Sequence, residues 1–318
     1  MKNIAIFIDF KENEVSSYSS ALLDFAHSIL HKDITYHLFS FDAPSNASIP
    51  NLNAEIKGYK FESTDQALFG QSKELDNLIS ILKNNQIDEV WCSKSNKSDT
   101  IASLISAKME FQVVPNIKKM ELTGTTYSIQ KSIFSGKAIA HLKLNASKFI
   151  AIFPKCFSSE VKSETNSMEI SFDSIPLGSK ADYQVGDIEN HEGSIPLPEA
   201  SIVVGAGRGM KEASNWGIIE DLAQSLHAAT ACSKPVSDIN WRPHHEHVGQ
   251  TGIKIAPKLY IACGISGAIQ HLAGVNGSGK IVVINQDPEA PFFKHADYGI
   301  VGDLFDVVPR LTKIIKEM

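Results

Sequence analysis

The stretch LYIACGISGAIQHLAG, residues 259–274, decides the fold. Its first five residues form an apolar run of strand length; two glycines and a serine then turn the chain, and a helix follows from Ala268 carrying Gln270 and His271. A strand that leaves through glycine into a helix is the βα unit of a parallel sheet. The turn exposes backbone N–H groups where the partial positive charge of a helix N-terminus suits a phosphate or other anion. The stretch therefore predicts a phosphate-bearing ligand, although a glycine turn taken alone serves tight packing just as well.

The same alternation continues on both sides. Downstream, Lys280–Asn285 (KIVVIN) and Tyr298–Val301 read as further strands and Leu304–Lys316 as a final helix. Upstream, Ser201–Val204 reads as a strand, and GAGRGMKEAS leads into a helix from about Asn215 to Ala229, with Ile218, Ile219, Leu222, Leu226 and Ala229 on one face. Gly205, Gly264, Asn285 and Asp303 all fall at carboxyl ends of strands, the edge at which open α/β sheets bind ligands. The dinucleotide fingerprint is incomplete: Gly205 and Gly207 have G-x-G spacing, but Met210 stands where the last glycine belongs, and Asp221 lies inside a helix.

Toward the N-terminus, Ile4–Ile8, Ser20–Leu30 and Thr35–Phe41 read as a βαβ opening. Leu75–Asn85 and Thr100–Met109 read as helices around a short strand, Glu89–Cys92. From Tyr127 to Phe153 the chain turns β-rich, with Gly136 as punctuation, and this domain is expected to close with antiparallel strands. Polar residues rich in Ser, Glu and Pro follow, and the linker is placed around Asn190–Ala200, giving domains at 1–195 and 196–318. Seven of the twenty glycines precede residue 201 and thirteen follow it, so the second domain is the one that repeatedly needs close backbone approach.

Composition sets limits on function. The 318 residues are 43% hydrophobic and 21% charged, enough for two cored domains. A net charge of −6 offers no basic field for nucleic acid. No stretch reaches the roughly 20 apolar residues of a membrane-spanning helix, and MKNIAIFIDF reads as a first strand rather than a signal peptide. Cys92, Cys156, Cys232 and Cys263 form no C-x-x-C pair and read as small core residues in a reducing compartment. Together these features predict the cytoplasm of a bacterium-like cell. HHEH at His244–His247 lacks a third converging ligand and reads as a polar loop rather than a metal site. There is no G-x-S-x-G elbow and no Walker sequence.

Three segments carry a resemblance: SIVVGAGRGMKEASNWGIIEDLAQSLHAATACSKPVSD, VGQTGIKIAPKLYIACGISGAIQHLAG and INQDPEAPFFKHADYGIVGDLFDVVPRL, in that order. Together they resemble the α subunit of electron-transfer flavoprotein across nearly all of residues 201–318, while the first 150 residues match only in general pattern and in YSIQKSIFSGKAIA. The resemblance implies an α/β protein of two domains, each a mostly parallel sheet flanked by helices, the C-terminal one Rossmann-like and binding FAD. It also implies a heterodimer with a β subunit. As a redox carrier rather than a turnover enzyme, it would take electrons from flavoprotein dehydrogenases of acyl-CoA type and pass them to a membrane quinone oxidoreductase.

Carried over position by position, the resemblance puts Arg208, Ser233, Lys234, Val248, Gly249, Gln250, Thr251, Ser266, Gly267, Ala268, Ile269, Gln270, His271, Asn285, Asp303 and Leu304 around FAD. Ser266 and the N–H groups of the following turn would hold pyrophosphate; Asn285 and Asp303 suit ribose or adenine. His271 and Lys234 would sit near the flavin N1 and C2 region, with Thr251 on the N5 side. Lys234 departs from the family's usual Arg, replacing a planar fork with a mobile point charge, which bears on the redox potential. Plainer roles stand beside these: Asp303 as a helix N-cap, His271 as a satisfied, partly buried histidine, Lys234 as a solvated charge. The alternatives in function are an NAD- or FAD-dependent oxidoreductase acting on a small molecule, and a non-redox nucleotide-binding subunit.

Overall fold

The computed structural model describes residues 2–11, 13–30, 33–61, 72–134, 138–145, 148–155, 157, 167–175 and 196–317. The chain divides into two compact units, Met1–Ile188 and Glu189–Met318. Cys156, Gly136 and most of the stretch expected to be the linker lie outside the described residues.

In the first unit the elements run β1 (Lys2–Phe7), β2 (Phe10–Lys11), β3 (Glu14–Val15), α1 (Ser17–Ile29), β4 (Ile34–Ser40), β5 (Asn46–Pro50) and β6 (Glu55–Phe61). They continue with α2 (Ser72–Asn84), β7 (Glu89–Ser93), α3 (Asn96–Met109), β8 (Gln112–Val114), β9 (Ile117–Thr123), β10 (Thr126–Ile133), β11 (Ala138–Asn145), β12 (Phe149–Phe153) and β13 (Ser167–Ile175). Eight of the strands form one sheet in the order β5-β13-β6-β4-β1-β7-β12-β8, parallel except for the β5–β13 pair. Both faces are covered, as a parallel sheet requires. Ile4, Ile6 and Trp91 join one core with Leu22, Leu23 and Ala26 of α1 and with Tyr127 and Ile129 of β10. Ala5, Val90 and Cys92 alternate onto the other face, against Leu78 of α2 and Ile105 of α3.

The expected antiparallel closure is only partly what the chain does. Strands β9, β10 and β11 do form a separate antiparallel sheet. The fully apolar FIAIF of β12, however, enters the parallel sheet between β7 and β8, because a strand without polar alternation must be buried on both faces.

The second unit comprises β14 (Ile202–Ala206), α4 (Gly217–Ser225), β15 (Ala229–Cys232), α5 (Lys234–Asp238), β16 (Leu259–Cys263), α6 (Ile269–Val275), β17 (Lys280–Asn285), β18 (Tyr298–Val301) and α7 (Leu304–Glu317). Its five strands are all parallel, in the order β15-β14-β16-β17-β18. Val203, Tyr260, Ala262 and Val283 face Leu272 and Val275 of α6, while Val204, Ile261 and Ile284 face Ile219 and Leu222 of α4 and Val308 of α7. The two-domain α/β class expected from the sequence is thus the observed one.

One element differs. The helix expected from Asn215 to Ala229 ends at Ser225, and Ala229–Cys232 is the edge strand β15. Ala228 N–H bonds the Ala223 carbonyl, and His227 takes a positive φ of 49°, so the chain reverses there. The run HAATAC carries alanines that suit either element, and only pairing with β14 makes it a strand.

Gly205 of β14 is required by close approach: a Cβ there would lie 2.1 Å from the Tyr260 Oη on the neighbouring strand. Gly217 opens α4 with nothing within 4 Å of a Cβ. Gly205→Ala is expected to cost about 1–3 kcal/mol in urea unfolding through overpacking, whereas Gly217→Ala is expected to be neutral or to stabilise by up to about 1 kcal/mol.

Candidate functional site

Every loop that leaves the carboxyl edge of the second sheet is tied to its neighbour by backbone bonds that extend the sheet. Ser233 N–H donates to the Ala206 carbonyl (3.1 Å), Gly207 N–H to Cys263 (3.0 Å), Gly209 N–H to Gly264 (3.1 Å), Gly264 N–H to Ile284 (2.9 Å) and Gly302 N–H to Asn285 (3.0 Å). This row fixes the loops after β14, β15, β16, β17 and β18 on one edge. At about 4.8 Å per strand interval, four intervals span roughly 19 Å, a length that an extended ligand can cover.

Glycine makes the row possible. Gly264 has φ +61°, and a Cβ there would meet the Gly209 Cα at 2.9 Å and a Leu304 methyl at 2.7 Å. The G-x-G spacing of Gly205 and Gly207 thus has a structural reason separate from the dinucleotide fingerprint it lacks.

All sixteen residues expected at the site lie at or beside this edge. Arg208, Lys234, Gln250, Thr251, Ser266, Ala268, Ile269, Gln270 and Asp303 are exposed; Asn285 is half-buried; Ser233, Val248, Gly249, Gly267, His271 and Leu304 are buried. The segment Val248–Thr251 comes to the edge because Val248 N–H extends β15 by bonding the Cys232 carbonyl (3.1 Å), and Gln250 N–H reaches the Gln270 carbonyl (2.7 Å). Gly249 packs on Gly274 of α6, where a Cβ on Gly274 would meet the Gly249 nitrogen at 2.5 Å. The loop after β15 and helix α6 are therefore clamped together.

Several side chains have structural work of their own. Asp303 Oδ1 accepts the Phe305 N–H (2.9 Å), which makes it the cap of α7. Asn285 Nδ2 donates to the Ile265 carbonyl (3.0 Å) and its Oδ1 accepts the Asp287 N–H (3.0 Å), pinning the GISG turn to the end of β17. A small concave pocket lies here, lined by Gly209, Lys211, Gly264, Asn285, Gln286, Asp303 and Leu304. The sequence reading missed Gly209, Lys211 and Gln286 in this lining. The only signal for them was position, since each lies in a loop that follows a strand.

The histidines sort themselves by partner. His244 Nδ1 lies 3.1 Å from Ser237 Oγ, and Glu246 is held by Arg242 at 2.8 and 2.5 Å. Among the described residues, no group of three or more His, Cys, Asp or Glu is placed to hold a metal ion. His247 turns inward with its Nδ1 unpartnered, and burial, followed by the charges of His244 and Lys234, lowers its pKa. His271 is 6% exposed; Nε2 lies 2.9 Å from Tyr260 Oη and Nδ1 has no hydrogen-bond partner. Burial, with a smaller contribution from His247, pushes the His271 pKa down to about 4. Lys234, His247 and His271 thus form one electrostatic neighbourhood, of which Lys234 is the exposed cation.

In a parallel α/β domain, ligands bind outside the carboxyl ends of the strands, the edge on which these loops converge. The family model described as "Electron transfer flavoprotein FAD-binding domain" matches residues 196–276. The electron transfer flavoprotein subunit alpha of Bacillus subtilis is 34% identical over 239 residues, covering 75% of this chain and 74% of that one. The mitochondrial electron transfer flavoprotein subunit alpha of Dictyostelium discoideum is 36% identical over 242 residues (73% and 67%), and the electron transfer flavoprotein subunit alpha of Pseudomonas aeruginosa 42% over 189 (59% and 61%). The chain belongs to the electron transfer flavoprotein alpha subunit family, as its three C-terminal segments suggested. FAD is the cofactor of its C-terminal domain.

The buried histidine gives a stability test. Well above pH 6.5 His271 is a neutral imidazole in both the folded and the unfolded chain; between 6.5 and about 4 the unfolded chain binds the second proton that the folded chain refuses. Its contribution is therefore complete above pH 6.5 and lost as pH falls through the folded pKa, by at most about 3 kcal/mol. Urea unfolding of the full chain at pH 7 and pH 4.5 is expected to show a smaller pH-dependent loss in His271→Gln than in the unmodified protein.

Proposed function

We propose that this chain is the FAD-carrying subunit of a heterodimeric electron carrier, with FAD lying along the carboxyl edge of β14–β18. The observation that carries the reading is the convergence of all sixteen expected residues, from six separate stretches of chain, on that edge.

The chemistry of the set supports it. Arg208 and Lys234 are exposed cations suited to a pyrophosphate or an electron-rich ring. Ser266 and Thr251 offer exposed hydroxyls, and Ile269, 65% exposed at the start of α6, offers apolar surface to a ring system. The unpartnered Nδ1 of buried His271 is a polar group for which a ligand would supply a partner. FAD supplies the redox centre when bound; the chain's own residues hold it, exclude water from its buried side and set the local charge. Asn285 and Asp303, already engaged in the turn and the helix cap, act on this reading mainly by shaping the pocket.

A β subunit would complete the carrier, and flavoprotein dehydrogenases of acyl-CoA type would donate to it, with a membrane quinone oxidoreductase as acceptor. No helix among the described residues is long and apolar enough to cross a membrane, which accords with a chain that delivers electrons to a membrane partner without spanning the bilayer.

The chain co-purified with its β subunit is expected to show the absorption bands of oxidised flavin, bleached by dithionite; protein absorbance alone after reconstitution with FAD would end the reading. Lys234→Arg is expected to retain FAD at full stoichiometry and to shift its midpoint potential in spectroelectrochemical titration. An unchanged potential would place Lys234 away from the ring.

A further inference from the structure

We propose that Tyr260 is a positioning residue that locks His271 as the neutral tautomer protonated at Nδ1, so that His271 presents a hydrogen-bond donor, and no positive charge, toward the Val248–Thr251 loop. The meaning of this for the cofactor rests on the function proposed above; the tautomer itself does not.

The geometry fixes the direction of the bond. Tyr260 lies in the middle of β16, 0% exposed, inside the core formed with Leu272, Val283 and Phe292. Its hydroxyl sits against the bare Cα of Gly205 on β14, where a Cβ would lie 2.1 Å from it. A buried hydroxyl needs an acceptor. His271 Nε2, 2.9 Å away, is the partner within reach, so Nε2 must keep its lone pair and the phenol must donate. Burial holds the Tyr260 phenol well above its usual range, so the proton stays on oxygen.

The far side of the ring agrees. The backbone of Val248 also acts on the ring, and with Nε2 taken by Tyr260 it is Nδ1 that is left to meet it. Val248 N–H is already donated to the Cys232 carbonyl, which leaves the Val248 carbonyl on this side. A lone pair on Nδ1 would oppose that oxygen, whereas an N–H is attracted to it. Nδ1 nevertheless closes no hydrogen bond within good geometry, so the donor remains available. The titratable or charged groups that influence this neighbourhood are His247, Tyr260, His244, Lys234 and Asp238; Lys234 and Asp238 are exposed. On the proposed function, charge near the cofactor would therefore come from the exposed rim, Lys234 included, and a fixed dipole from His271.

Imidazole 15N–1H correlation spectra of the full chain, with His271 assigned through His271→Gln, test this before any cofactor is added. At pH 7 the expected pattern is a protonated Nδ1 and an unprotonated, hydrogen-bonded Nε2. An Nε2–H tautomer or an imidazolium at pH 7 would overturn the proposal, and the tautomer itself is read from the unmodified protein, the variant serving only for assignment. Tyr260→Phe is expected to lose the hydrogen-bonded Nε2 signal and to show averaged tautomers; unchanged tautomer signals would remove Tyr260 from the role. In the FAD-loaded heterodimer, Tyr260→Phe is expected to shift the flavin potential at unchanged FAD stoichiometry. Failure of FAD to bind either protein would refute the functional reading and leave the tautomer result standing.

Discussion

The second unit depends on the way a parallel sheet ends. Each strand delivers its last carbonyl to the same edge, and a loop that leaves that edge must either satisfy those groups or expose them. Here the loops satisfy them for one another: Ser233 bonds Ala206, Gly207 bonds Cys263, Gly264 bonds Ile284 and Gly302 bonds Asn285. A row of stitched loops results, and the side chains at the edge are carried by it. Gly207 and Gly209 are small because Gly264 comes between their neighbours and Leu304, leaving no room for a Cβ at any of the three.

Against this rigid backbone, polarity is divided by depth. Basic side chains stand outside, at Arg208 and Lys234, where they remain solvated. Histidines stand inside, at His247 and His271, where burial strips them of charge. Cys232 and Cys263, whose pKa values burial pushes up to about 12, are inert packing groups in the same core. A ligand along the edge would therefore meet mobile charge from the solvent side and fixed dipoles from the protein side. That division would favour orientation by the core and attraction by the rim.

Much of this was open to a reader of the sequence. Apolar runs such as LYIAC and KIVVIN could only be buried strands, and the glycines that follow them could only be turns. The three C-terminal segments together carried the family, and with it the residue set. The failures were local ambiguities. HAATAC has no period long enough to tell strand from helix, and FIAIF looked like one more strand of an antiparallel closure until its unbroken apolar character met a sheet covered on both faces.

The chain by itself thus determined the two α/β units, the edge where their loops matter and the family that uses it, since all of these rest on hydrophobic period and on local runs of residue type. Only tertiary structure decided that Tyr260, eleven positions before His271, would reach its Nε2, that Gly205 would be bare to admit the phenol, and that Asn285 would pin the turn rather than wait for a ligand. Those facts depend on which side chains from different strands share a few ångströms of core. Spacing along the chain carries no record of that until the sheet has set its register.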